Sequence, residues 1–224
     1  MLGKEIDLLA NYPKPNRDIS GRGLTKSNKD REIARKFGKE FFDGDRSQGY
    51  GGFHYHPRFW ENVVPTFKDH WGLSSHSSLL DIGCAKGFML YDFARLIPGI
   101  NLKGIDISEY AISNAMTEIS NLVSVASADD LPFEDKSFDF LTNLDAMEHY
   151  LPEQTEEIIE EFCRVTKKYI YFAISNLDSF HKGNDLHINK KSYEQWFNIL
   201  SNYGNVEWLY KRDNVISENF ILEL

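Results

Sequence analysis

The chain has 224 residues, enough for one α/β domain with additions at its ends. Its 42% hydrophobic content supports a sizeable core, and a formal charge of −9 (25 basic against 34 acidic residues) argues against a surface that grips long nucleic acid. Cys84 and Cys163 lie too far apart to suggest a disulfide framework or a zinc site, and no apolar run approaches the roughly 18 residues that span a membrane.

The opening MLGKEIDLLANYPKPNR lacks a basic head followed by a long apolar run, so no signal peptide is expected. A reducing cytoplasm is the expected location. In chain order, KDREIARKFGKEFF (29–42) reads as a helix with Ile33, Phe37 and Phe41 on one face. In YGGFHYHPRFW (50–60), seven of eleven residues are aromatic or histidine, a composition that suits a lid hinged at Gly51-Gly52 or a strap packed on the domain. ENVVPTFKDHWG reads as a helix started or kinked near Pro65.

From Ser78 the pattern alternates regularly. SLLDIG is a short buried strand, and 86–97 is a helix with Met89, Phe93, Leu96 and Ile97 on one face, stopped by Pro98-Gly99. NLKGID (101–106) is a second strand, followed by Ser108 as N-cap of the helix EYAISNAMTEI. LVSVAS (122–127), FDFLTNL (138–144) and KYIYFAIS (168–175) continue the sheet, with a helix over 153–166 burying Ile158, Phe162 and Val165. SYEQWFNILSNYG is a last helix, and VEWLYK and NFILEL are closing strands with no helix between them. The fold expected is α/β: a Rossmann-like three-layer αβα sandwich whose mostly parallel seven-stranded sheet ends in an antiparallel edge hairpin. Residues 1–65 are expected to form an N-terminal extension with an aromatic lid, and 66–224 the ligand-binding domain.

In such a sheet, ligands bind beyond the carboxyl ends of the strands. The first strand ends in Asp81-Ile82-Gly83-Cys84-Ala85-Lys86-Gly87, directly before a helix, and Asp106 ends the second strand 19 residues beyond Gly87. An acid there can take both hydroxyls of a ribose. Small residues at 83, 85 and 87 let the backbone turn sharply and approach a ligand. Nucleotide, flavin and nicotinamide folds also use glycine-rich loops. Asp81 separates them, because a carboxylate ahead of the loop repels a pyrophosphate and suits a ligand bearing an ammonium and a sulfonium.

LLDIGCAKGFML, GIDIS, ASADDLPFEDKSFDF and LDAMEHY together resemble, in order and spacing, the class I S-adenosylmethionine (SAM)-dependent methyltransferases, most closely the subgroup acting on small molecules. The resemblance covers about 78–175. It implies SAM as cofactor, with Asp81, Gly83, Cys84, Ala85 and Gly87 around its methionine part, Asp106 on the ribose and Ile107 on the adenine. Ser127 stands where the family usually has an acid for the adenine amino group, so Asp129 or the backbone of Ala128 is expected to serve there. Asn143 on the fourth strand joins this set. The stretch FFDGDRSQGYGGFHYHPRFW is also similar to enzymes encoded with bacterial surface-polysaccharide genes, which implies a sugar or sugar-nucleotide acceptor.

Methyl transfer needs positioning of the acceptor, plus a base when the acceptor is a hydroxyl or a protonated amine. His149 and His187 are the candidate bases, with Asp145 and Glu148 beside His149 as further acceptor-facing groups; His181 is expected to face solvent. Arg46, Tyr50, His54 and Tyr55 are candidate substrate contacts. His54 and His56 share a face if extended, but no further ligand follows at metal spacing, so no metal is expected. The expected partner is a small-molecule acceptor, with no nucleic acid and no membrane, and nothing in the sequence sets the oligomeric state. The alternatives are a SAM-binding module without turnover, a methyltransferase acting on protein or RNA, and a nicotinamide oxidoreductase.

Overall fold

A computed structural model describes residues 7–13, 26–175, 186–209 and 217–224. The strands are β1 (Ser78–Ile82), β2 (Asn101–Asp106), β3 (Val123–Val125), β4 (Phe138–Leu144), β5 (Thr166–Ser175), β6 (Asn205–Leu209) and β7 (Ser217–Glu223). They form one seven-stranded sheet in the order β3-β2-β1-β4-β5-β7-β6. β1 to β5 are mutually parallel, while β7 runs antiparallel to both β5 and β6. The final strand therefore lies inside the hairpin and β6 forms the edge. Phe220, Ile221 and Leu222 are all buried there, which is the apolar content an interior strand requires.

Side chains alternate across the sheet with period two. Leu79, Phe140, Tyr171 and Ile221 enter one core cluster, and Leu80, Leu141, Ile170, Phe172 and Leu222 enter the other. The first is covered by α3 (Val64–Trp71) and α4 (Phe88–Leu96), through Phe67, Leu90 and Phe93. The second is covered by α6 (Thr155–Val165) and α7 (Tyr193–Leu200), through Ile158, Phe162, Trp196 and Leu200. Ile158, Phe162 and Val165 are the stripe expected on α6, each worth roughly 2 kcal/mol on burial. Ser192 and Gln195 close a reciprocal capping box at the start of α7.

Two helix expectations change. The stretch 29–42 is two short helices, α1 (Asn28–Ala34) and α2 (Lys39–Asp43), separated at Phe37, whose φ is 46°, and at Gly38, which caps α2. The break directs the Phe37 carbonyl to the Ser108 hydroxyl at 2.5 Å. Helix α5 (Glu109–Ser113) stops early because the Asn114 side chain donates back to the Tyr110 carbonyl, and a separate turn covers Thr117–Ile119. The expected boundary at 65 falls inside α3, and Leu8, Val63 and Val64 sit in the first core cluster with β1 and α4. Among the described residues no helix is long and apolar enough to cross a membrane. His181 and the end of VEWLYK lie outside the described residues.

Candidate active site

The sheet reverses its strand order between β1 and β4, which opens a crevice beyond their carboxyl ends. The glycine loop lines one side of it and the segment after β4 the other; a Cβ at Gly83 would lie 3.0 Å from that of Ala146. Gly83 (φ 81°), Ala85 (φ 50°) and Gly87 (φ 74°) all adopt left-handed backbone. Ala85 therefore carries the strain a glycine would avoid. The turn is held from beneath, because Gly83 and Cys84 both donate to the Ile105 carbonyl (2.9 and 3.0 Å).

Two carboxylates dominate this crevice. Asp106 accepts from the Ala85 N–H through Oδ2 and from the Ser108 N–H through Oδ1, both at 2.8 Å. Each oxygen retains accepting capacity for a ligand hydroxyl. Asp81 is only 4% exposed, and its hydrogen-bond partner among the described residues is the Thr142 hydroxyl at 2.8 Å. Burial pushes its carboxyl up to about 7; the Thr142 bond opposes this and the negative Asp106 reinforces it. A cationic group arriving beside Asp81 would relieve that penalty, whereas a pyrophosphate would increase it. The donor set therefore fits SAM, with its ammonium and its ribose hydroxyls.

The other expected cofactor contacts divide by role. Ile107 is 60% exposed directly after Asp106, leaving an apolar face for a flat ring. The Asn143 amide donates to the Ile82 carbonyl and to the Tyr150 hydroxyl (3.1 and 3.3 Å), while its oxygen is buried without a partner among the described residues. The Ser127 hydroxyl donates to Asp129, which also accepts from Gln154 at 2.6 Å, and Ala128 is buried beside them. A carboxylate thus stands near the position where Ser127 departs from the family. The Cys84 thiol turns into the core against Gly104, which leaves its backbone for the contact expected there. Gly87 likewise caps α4 and packs on Ile119, where a Cβ would come within 2.4 Å of the Ile119 Cδ1.

The N-terminal segment is fastened across this crevice. Lys86, within the glycine loop and 5% exposed, pairs with Asp43 at 2.6 Å and donates to the Phe53 carbonyl at 3.0 Å. Asp43 also accepts from the Phe53 N–H (2.9 Å) and the Tyr110 hydroxyl (2.7 Å). Burial alone would raise the Asp43 carboxyl; the bonds from Lys86, Phe53 and Tyr110 instead bring it down to about 2. Sequence reasoning missed this clamp. Its only local signal is a lysine inside a loop otherwise made of small residues.

Phe41, Phe42, Tyr50 and Phe53 form one aromatic cluster, joined to α4 by stacking of Phe53 on Phe88. Tyr50 is 44% exposed; desolvation, then the nearby Asp145 carboxylate, holds the phenol above its ordinary range. Arg46 donates to the Tyr50 carbonyl and braces the strap beneath Gly51. His54 lies against Gly52, close to the strap's own backbone. Tyr55 packs on Phe88 and Tyr91 and donates to the buried Asp92 at 3.0 Å, which anchors the strap to α4.

Beyond β4, Asp145 is exposed with φ at 50°, and its N–H donates to the Ala173 carbonyl at 2.7 Å. Glu148 is 1% exposed, accepts from the Ser175 N–H at 3.2 Å, and its carboxyl is raised by burial and then by Asp145. His149 Nδ1 lies 2.9 Å from the Leu186 carbonyl. A carbonyl only accepts, so Nδ1 carries the proton and Nε2 keeps its lone pair. Burial lowers the His149 pKa, outweighing that hydrogen bond, and favours the neutral ring. His187 meets it edge to face at 4.9 Å, and Phe37 of the strap covers its other side at 5.5 Å. The two candidate histidines, well apart in sequence, are thus adjacent in space.

Residues 80–174 match the family model described as a methyltransferase domain. A tRNA (guanine-N(7)-)-methyltransferase of Prochlorococcus marinus is 28% identical over 166 residues, covering 70% of this chain and 78% of that protein. An uncharacterised protein of Haemophilus influenzae is 34% identical over 104 residues, 43% of this chain; the chain spans only 41% of that relative's length. Among solved structures, the PH0226 protein of Pyrococcus horikoshii is similar with a TM-score of 0.60 at 19% identity, over 83% of this chain and 94% of that one. A SAM-dependent methyltransferase of Aquifex aeolicus is similar with a TM-score of 0.53 at 20% identity, over 71% and 87% of the two chains. These likenesses carry the fold.

Proposed function

We propose that this chain, whose residues 80–174 match the family model of a methyltransferase domain, moves the methyl group of SAM to a small-molecule acceptor. The observation that carries the reading is Asp81, a buried carboxylate at the sheet's switch point whose charge calls for a cationic ligand. SAM supplies a methyl on a positively charged sulfur, so transfer is an in-line displacement. Asp81 and Asn143 would hold the methionine end, Asp106 the ribose, and Ile107 with the Ser127–Asp129 segment the adenine. The strap closes the site from the N-terminal side and excludes water, with the exposed face of Tyr50 offered to the acceptor. Asp145, His149 and His187 form the acceptor side, where His149 keeps an electron pair on Nε2.

A sugar or sugar nucleotide is the acceptor class that fits an aromatic strap beside acidic groups. A second reading, methylation of tRNA, is favoured by the Prochlorococcus relative and opposed by the charge of −9. Incubation with methyl-labelled SAM and separate pools of sugar nucleotides, bulk tRNA and protein decides between them. Label is expected in the sugar-nucleotide pool. Label in tRNA alone would establish the second reading, and absence of any thermal shift with millimolar SAM would remove both.

A further inference from the structure

We propose that Glu148, His149 and His187 bind a divalent transition-metal ion, open on the side facing the crevice. Each contributes one donor atom, and these three atoms lie within 4.8 Å of one another. Donors around an ion with bonds of about 2.0–2.2 Å stand roughly 3–3.5 Å apart, so small side-chain rotations bring the set to bonding distance. Three details favour an ion over a simple hydrogen-bonded cluster. Glu148 is 1% exposed and uses one oxygen on the Ser175 N–H, while Oε2 is buried without a partner among the described residues. His149 already donates Nδ1–H to a backbone carbonyl, the anchoring that fixes a ligating imidazole, and this leaves its Nε2 lone pair for a metal. Asp145 adds negative charge beside Glu148, which a dication offsets.

Two imidazoles and one carboxylate select ions of the zinc, manganese and iron class over calcium or magnesium, and leave coordination positions for an exogenous ligand. The sequence gives no hint of this, since His187 lies 38 residues beyond His149. Binding of the ion does not depend on methyl transfer. Its use in holding an acceptor oxygen, lowering that oxygen's proton affinity, rests on the proposed reaction.

The test is titration of the chelator-stripped full-length protein with Co²⁺ as spectroscopic probe, then with Zn²⁺ and Mn²⁺ by calorimetry. One equivalent is expected, with absorption bands of a nitrogen- and oxygen-ligated ion. Glu148→Gln and His187→Ala should each weaken binding at least ~10-fold, while His76→Ala, altering an exposed histidine in a turn, should not. Equal binding by wild type and His187→Ala, or loss of the ion in His76→Ala, overturns the site. The SAM-induced thermal shift is measured on every variant. Its retention shows that a variant is folded, and its absence from wild type that still binds one Co²⁺ counts against the methyltransferase reading alone.

Discussion

Replacing Asp43 by Asn removes the anion of the strap clamp with little change of shape. Lys86, 5% exposed, would keep its charge with the Phe53 carbonyl as remaining acceptor. Breaking one side of a buried pair in this way costs about 3–5 kcal/mol when burial is complete; the Asp43 side chain is 18% exposed, so about 3 kcal/mol is expected. The same pair sets a pH dependence. The Asp43 carboxyl falls from 3.8 to about 2 on folding, so its contribution is fully present above 3.8 and disappears as pH falls through about 2. At 1.36 kcal/mol per unit the difference is about 2 kcal/mol. Urea unfolding followed by tryptophan fluorescence, at neutral pH and across this acid window, measures both quantities. The wild-type minus Asp43→Asn stability difference should shrink as pH falls from 3.8 to about 2. Adding Lys86→Met to Asp43→Asn should recover part of the loss, because it removes the buried cation left without its anion. A neutral-pH loss below about 0.5 kcal/mol, or a difference that does not change with pH, would refute the clamp.

Asp81→Asn keeps the Thr142 contact but removes the charge: SAM affinity measured by calorimetry should fall at least ~10-fold, while the ligand-free protein holds or gains stability at neutral pH. The sign follows from the raised pKa, since ionising a buried carboxyl between 3.8 and about 7 destabilises the native state as pH rises, and the Asn variant lacks that slope. Tyr55→Phe loses the bond to Asp92 Oδ1 and should lower stability by about 1 kcal/mol in the same urea assay. Gly104→Ala places a Cβ 2.5 Å from Leu90 Cδ1 and 2.9 Å from the Cys84 sulfur, beneath the glycine loop. Overpacking there should cost about 1–3 kcal/mol, seen as a lowered melting temperature; an unchanged one would mean the loop has room to move.

The strands, most helices and the glycine loop were legible in the sequence because their causes are local. An apolar run such as SLLDI can only be a buried strand in this context, Ser108 caps α5 by accepting from the Ala111 N–H three residues on, and Asp106 ends the strand paired with β1. Resemblance to a family extended those local signals to named ligand contacts. Other features depend on contacts between distant residues, which no local pattern encodes. Asp43 reaches Lys86 across 43 residues and Tyr110 across 67, and the polar stretch that holds it read only as an extension. Phe37 breaks a helical pattern because its carbonyl is used by Ser108 on another element. Cys84 faces inward because Gly104 leaves space beneath it. His149, just beyond β4, meets His187 across 38 residues of sequence, a contact that no local pattern encodes. Periodicity and turn chemistry are properties of neighbouring residues, so the sequence alone determined the elements and the glycine loop. Which groups share a site depends on strand order and on what packs over it, and that only the tertiary structure decided.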